Sequence, residues 1–241
     1  MRAVEDLHWW YQGLWRLTLD WLTRRLPPGE RAQVLDAGCG TGGLLSQLRP
    51  LYPASVGLDL SPEAVAHCQT RGLTRVARGT VTEMPFPTGR FDAVISNDVL
   101  YHRQVEVMPA LREFHRVLRP GGLLLMNLAA LESQRGAHDE SVHTARRFER
   151  SQVGRLLAEA GFATERLSYR NFLLFPVAWA VRRLLRPSCT QPPPESEMLL
   201  PCKAVNAALT TVLELENLLL ARLDLPLGLS LFCAARRSDA P

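Results

Sequence analysis

Hydrophobic positions along this chain follow a helical period first and then settle into a regular alternation of two periods. Val4, Leu7, Tyr11, Leu14 and Leu22 fall close to helical spacing over residues 3–26, and Pro27-Pro28-Gly29 closes that segment. From residue 33 onward short apolar runs exchange with helical stretches. Gln33–Asp36 meets a glycine turn and a helix through Leu48. Ser55–Asp59 leads to a helix opened by Ser61-Pro62-Glu63, a capping serine with proline in the first turn. Arg75–Gly79 reads as a third strand and Phe91–Asn97 as a fourth, followed by a helix from Val105 to Leu118. Arg119-Pro120-Gly121-Gly122 reads as a turn and Leu123–Leu128 as a fifth strand. A polar loop over Ser133–Arg147 precedes a helix at Ser151–Ala160, a sixth strand at Phe162–Tyr169 and a last strand at Ser230–Ala235.

Strands exchanging with helices at this spacing predict right-handed βαβ units. The fold class expected is therefore α/β, a Rossmann-like, seven-stranded, mostly parallel sheet. Two additions stand outside that plan: an N-terminal aromatic helix over residues 1–29, with four of the five tryptophans (Trp9, Trp10, Trp15, Trp21), and a helical insertion over about 171–227 before the last strand. Residues 30–241 otherwise form one domain. Such sheets bind ligands beyond the carboxyl ends of their strands, near the reversal of strand order.

Composition narrows the function classes. A hydrophobic fraction of 46% and a charged fraction of 22% are those of a globular chain. The net charge of +4 comes from arginine, Lys203 being the only lysine, and the arginines lie scattered among acids, so no nucleic-acid footprint is expected. Cys39, Cys68, Cys189, Cys202 and Cys233 form no CxxC pair and no zinc-like spacing, which points to reduced thiols and a cytoplasmic protein. Glu5, Asp6 and His8 interrupt the place of a signal sequence, and the apolar run Gly121–Leu131 is too short for a bilayer.

The strongest chemical signal is Val34-Leu35-Asp36-Ala37-Gly38-Cys39-Gly40-Thr41-Gly42-Gly43. A dinucleotide turn shows GxGxxG, whereas here the spacing is Gly38-x-Gly40-x-Gly42 with an acid before it. An acid at that strand end disfavours a phosphate and suits a ligand with cationic groups. At this point the chain resembles the class I S-adenosylmethionine (SAM) dependent methyltransferases, in particular the small-molecule, methyltransferase-11-like branch. The resemblance continues in order through Val56-Gly57-Leu58-Asp59-Leu60-Ser61, Gly79-Thr80-Val81-Thr82-Glu83-Met84-Pro85-Phe86, the segment Phe91 to His102, and Arg116-Val117-Leu118-Arg119-Pro120-Gly121-Gly122. It covers roughly residues 30–130.

The resemblance implies a SAM site, with S-adenosylhomocysteine (SAH) as the product left behind. Asp36 would face the ammonium of SAM and Asp59 would accept both ribose hydroxyls, with Gly38, Cys39, Gly40, Gly42 and Leu60 among the cofactor-binding residues. Thr80 and Val81 would meet the adenine, although the family pattern has an aspartate where Thr80 stands. Asn97 would lie near the methyl group. His8-Trp9-Trp10-Tyr11 is similar to an aromatic segment that closes over the pocket, which adds Tyr11, while Leu14 stands where some relatives carry arginine.

Methyl transfer from a sulfonium is an in-line displacement in which alignment does most of the work, and a base is needed only for an acceptor that must lose a proton. Candidates for the chemistry are Asp98, His102, His138 and His143, with His102 the favoured base. Two histidines and Asp139 in one loop do not make a metal site, and no metal is expected. Arg146 and Arg147 either bind an anionic acceptor or are simply solvated.

The apolar stretch Phe172–Leu185, tipped by Arg182, Arg183 and Arg186, suggests a lipophilic or biosynthetic small-molecule acceptor held between the insertion and the N-terminal tryptophans. Three roles for the insertion stay open: an acceptor cap, a homodimer interface, or a membrane-surface contact through residues 171–187. Rival readings are a non-catalytic SAM-binding scaffold and a nucleic-acid methyltransferase, although Asn97-Asp98-Val99-Leu100 is not the fourth motif of the latter.

Overall fold

A computed structural model describes residues 2–132, 145–184 and 200–238. Among them run α1 (Arg2–Glu5), α2 (Trp9–Arg25), β1 (Val34–Ala37), α3 (Gly43–Leu48), β2 (Val56–Asp59), α4 (Pro62–Thr70), β3 (Val76–Arg78), β4 (Phe91–Asn97), α5 (Val107–Val117) and β5 (Leu118–Ala129). They continue with α6 (Arg150–Glu159), β6 (Phe162–Arg170), α7 (Phe175–Leu184), α8 (Lys203–Leu220) and β7 (Ser230–Arg237).

The seven strands lie in the order β3-β2-β1-β4-β5-β7-β6, parallel from β3 to β5, with β7 antiparallel to both its neighbours. Strand order therefore reverses between β1 and β4, and a ligand crevice is expected above that junction. Both faces are covered, as the near-continuous apolar runs require. Along β5, Leu124, Met126 and Leu128 join Phe91, Phe114 and Phe162 on one face. Leu123 and Leu125 turn to the other, among Trp15, Trp21, Leu45, Leu220 and Phe232.

Three local departures from the expected pattern have physical causes. The first helix is broken: His8 is extended, and its ring Nδ1 accepts a hydrogen bond from Trp10 N at 3.3 Å, so α2 starts afresh behind its own cap. The turn at Arg119–Gly122 does not end the strand. Phe91 pairs with Leu118 and Ala93 with Leu123, so the intervening residues bulge out at a left-handed Gly121, and strand assignment continues through them. The insertion's second helix, α8, is spent on α2 rather than on the sheet alone. Trp9 N donates to Asn206 Oδ1 at 3.0 Å, Asn206 Nδ2 to Leu7 O at 2.8 Å, and Asn217 Nδ2 to Gly13 O at 2.9 Å. Leu213 packs so closely on Gly13 that an added Cβ would come within 2.5 Å of it. Among the described residues no helix is long and apolar enough to cross a membrane.

Candidate functional site

The first wall of the site is the turn from β1 into α3. Gly38, Gly40 and Gly42 adopt φ of 87°, 54° and 82°, which folds the chain back within five residues. Gly38 N and Cys39 N both donate to Leu58 O, at 2.7 and 3.0 Å, docking the turn onto β2. The carboxylate of Asp59 completes the docking: Oδ2 accepts from Gly40 N at 2.8 Å and Oδ1 from Ser61 N at 2.9 Å. A Cβ on Gly38 would lie 2.2 Å from Val99 Cγ2, while one on Gly40 would meet nothing within 4 Å. The turn at Gly40 therefore faces open space, unshielded by any side chain of its own.

Asp36 lies below that tip, only 3% exposed, and its Oδ2 has no hydrogen-bond partner. Burial, with Cys68, Asp59 and Glu5 adding to it, pushes its pKa up to about 8. An orphaned carboxyl oxygen at this place suits an incoming ammonium group, whose charge would draw the carboxyl into its ionised form. Glu5 is held over the turn from the N-terminal side. It accepts from the Thr41 hydroxyl and lies 3.7 Å from Arg71, whose Nη1 also meets Asp6 at 2.9 Å. Cys39 and Cys68 pack beneath, Sγ to Sγ 4.0 Å apart.

At the end of β2, Leu60 is half exposed beside Asp59. At the end of β3, Val81 is buried, and the Thr80 hydroxyl is spent locally, 2.8 Å from Thr82 Oγ1 and accepting Thr82 N at 3.2 Å. The end of β4 carries Asn97, whose Nδ2 donates to Thr18 Oγ1 at 3.3 Å and whose Oδ1 is buried without a partner. Asp98 follows with a left-handed φ of 60°. Asn127 of β5 fixes it twice, its carbonyl accepting Asp98 N at 2.9 Å and its Nδ2 donating to Asp98 Oδ1 at 2.8 Å. Burial pushes the Asp98 carboxyl up to about 6 against that hydrogen bond. Tyr11 leans on Trp15 at 5.7 Å, and burial raises its phenol to about 12, Glu5 and Asp98 adding to the shift.

The structure thus places Asp36, Gly38, Cys39, Gly40, Gly42, Asp59, Leu60, Thr80, Val81, Asn97 and Asp98 along the carboxyl ends of β1 to β4, with Tyr11 of α2 near enough to Glu5 and Asp98 for their charges to act on it. His102 sits in the turn after β4, its N donating to Val99 O at 3.1 Å and its ring stacked on Tyr101 at 5.4 Å. His138, Asp139, His143 and Arg186 lie outside the described residues. Arg147 is anchored rather than loose, donating to Ala130 O at 2.8 Å. Among the described residues no group of three or more potential metal ligands occurs.

Several residues of the rim carried no motif. Glu5, Thr18, Asn127 and Arg170 enter it from distant parts of the chain. Asn127 offered a faint signal, a polar residue inside the apolar run Leu123–Leu128. Arg170 offered another, a cation at the carboxyl end of a strand.

Asp36 couples the site to pH. The folded protein keeps its proton to about pH 8, the unfolded chain only to its ordinary 3.8, so folding takes up a proton between those values. Stability of the ligand-free protein is therefore expected to fall as pH rises through that window, with Asp98 acting in the same sense up to about 6. Thermal melts of the wild type and Asp36→Asn between pH 5 and 8.5 check this. The variant's melting temperature should overtake that of the wild type toward the alkaline end, and a constant difference across the range would refute the assignment.

A family described as a methyltransferase domain matches residues 35–126. Two malonyl-[acyl-carrier protein] O-methyltransferases are similar in sequence. That of Enterobacter lignolyticus is 33% identical over 121 residues, 50% of this chain and 48% of the relative. That of Herminiimonas arsenicoxydans is 37% identical over 149 residues, 58% of this chain and 56% of the relative. The chain thus spans about half the length of these curated relatives. Among solved structures, a methyltransferase in complex with the Trm112 methyltransferase activator of Haloferax volcanii superposes with a TM-score of 0.62 at 18% identity, covering 98% of this chain and 93% of the other. At that identity the likeness is one of fold.

Proposed function

We infer that the chain is a class I SAM-dependent methyltransferase, and from that premise we propose that it transfers a methyl group from SAM to a small, lipophilic acceptor. The observation that carries this reading is the bare glycine turn held by Asp59 above the orphaned oxygen of Asp36. In this reading Asp36 takes the ammonium of SAM, and the backbone at Gly38, Cys39, Gly40 and Gly42 lines the methionine part. The remaining lone pairs of Asp59 take the ribose hydroxyls, with Leu60 against the ring. Since the Thr80 oxygen is already engaged, adenine recognition falls to the backbone and to the wall at Val81. Asn97 and Tyr11 flank the sulfonium. Bound SAM supplies a methyl group on a positively charged sulfur, so the residues of this chain contribute mainly alignment and exclusion of water.

Residues 1–29 act here as a lid on the cofactor, and about 171–227 as the acceptor cap, a division supported by the clasp of α2 on α8. Leu173, Val177 and Trp179 keep apolar surface exposed on the cap, which favours a lipophilic acceptor. Asp98 and, less directly placed, His102 are the residues to receive a proton where the acceptor has one to lose. The names of the two sequence relatives, O-methyltransferases of a malonyl-acyl carrier protein, support an acyl-type biosynthetic intermediate. Cys39, Cys68, Cys202 and Cys233 are free thiols, which suits the cytoplasm.

Calorimetric titration with SAM and SAH tests the reading. Binding in the micromolar range is expected for both, at about −8 kcal/mol, and failure of both to bind removes it.

A further inference from the structure

Arg170, the last residue of β6, is fully buried, yet its Nε, Nη1 and Nη2 have no hydrogen-bond partner. A guanidinium carries five N–H donors in a rigid planar fork, and a buried charge of this kind is ordinarily met by carboxylate or carbonyl oxygens. Two acids lie near enough for their charges to act on it, Glu216 and Asp98. Both are engaged elsewhere. Glu216 accepts from the backbone N–H of Asn171 and, at 2.9 Å, from that of Leu173, while Asp98 accepts from Asn127. The indole of Trp10 lies across the guanidinium, its ring centre 5.4 Å from the arginine Cζ. The result is an unmet bidentate donor set under an aromatic ring. It lies on the same rim as Asp98 and between the N-terminal helix and the insertion.

Planar guanidinium forks match planar oxyanions, carboxylates above all. We propose that Arg170 receives the carboxylate of the acceptor, and that the protein makes methyl esters of lipophilic carboxylic acids; this rests on the methyl-transfer reading above. With the carboxylate held by the guanidinium fork, the remaining lone pair of one of its oxygens attacks the methyl carbon. The carbon–sulfur bond breaks, its electron pair returns to sulfur, and the products are the methyl ester and SAH. The nucleophile is already an anion, so no proton has to be removed. The chemistry therefore needs no general base.

The test uses the full chain saturated with SAH and titrated with straight-chain carboxylates from acetate to myristate and with the matching alcohols. Binding is read by calorimetry and by tryptophan fluorescence, Trp10 being the reporter over the site. For at least one chain length the carboxylate is expected to bind tenfold or more tightly than the alcohol. Arg170→Met should abolish that preference and leave the SAH dissociation constant within about twofold, and Arg170→Lys should keep a part of it, as charge without the fork. With SAM in place of SAH, the bound acids should appear as methyl esters by mass spectrometry. Wild-type protein that binds SAH but no carboxylate of the series overturns the proposal, as does a preference that survives in Arg170→Met. Loss of SAH affinity in Arg170→Met would assign the guanidinium to the methionine carboxylate of SAM instead, and also overturns it. Failure of the wild type to bind SAH is a separate result, which removes the methyl-transfer reading itself. Should Arg170→Met not fold, the wild-type carboxylate-to-alcohol ratio and Arg170→Lys decide the matter.

Discussion

Asp59→Asn is expected to weaken SAH binding as severely as Asp59→Ala, despite being the conservative change. Each carboxylate oxygen faces a backbone donor, Gly40 N on one side and Ser61 N on the other. An amide presents its NH₂ to one of the two whichever way it is turned, so one backbone N–H is opposed by a donor and the cofactor turn loosens. Hydrogen bonds to a charged group contribute about 1.5–3 kcal/mol each, so the loss of one inside the turn and of the proposed acceptor for the ribose amounts to about 3 kcal/mol, roughly a hundredfold in affinity. Calorimetry with SAH on both variants measures it. An asparagine variant within fivefold of wild type would mean that the carboxylate does not hold the turn in the way its geometry indicates.

The part of this site that was legible in the sequence is the part built from neighbours in sequence. Alternating strand and helix periods, with Gly38-x-Gly40-x-Gly42 between Asp36 and an acid on the next strand, specify a βαβ unit with a glycine turn at the carboxyl end of its first strand. Asp59 then fell at the strand end by register alone. What was not legible depends on contacts that no local period encodes. Thr41 meets Glu5 from 36 residues away, Asn97 meets Thr18 from 79, and Trp9 meets Asn206 from 197. Arg170 reaches Trp10 and the field of Asp98 only because β6 lies beyond β7 at the sheet edge, an order that alternation leaves undetermined. The break at His8 was hidden by hydrophobic spacing that runs on through it, since Leu7 fits the period yet stands exposed. Periodicity reports which side of an element is apolar and is silent about where a side-chain cap stops it. The bulge at Gly121 was visible as a turn, but its effect on pairing was not, because the strand resumes with the same neighbour three residues out of step.

Two neighbouring glycines of the cofactor turn are expected to fail in opposite ways when replaced by alanine. Gly38→Ala should be a stability defect. Its φ of 87° is left-handed, and the new Cβ would stand 2.2 Å from Cγ2 of Val99, a branched side chain packed against the core and unable to swing away cheaply. Left-handed strain of about 1–2 kcal/mol and overpacking of about 1–3 kcal/mol together predict a loss of about 3 kcal/mol, or about 10 °C in melting temperature for a chain of this size. Gly40→Ala should be a binding defect. Its φ of 54° lies in the left-handed well that alanine can enter for about 1 kcal/mol, and its Cβ would meet no protein atom within 4 Å. The methyl group then projects into the open space in front of the turn, where the proposed reading puts SAM. Melting temperature should drop by only about 3 °C while SAH affinity falls tenfold or more. Thermal melts and SAH titrations on the two variants separate the effects. If Gly40→Ala binds SAH as tightly as the wild type, the open face of the turn is not the cofactor wall. If Gly38→Ala melts with the wild type, Val99 does not close the turn from behind.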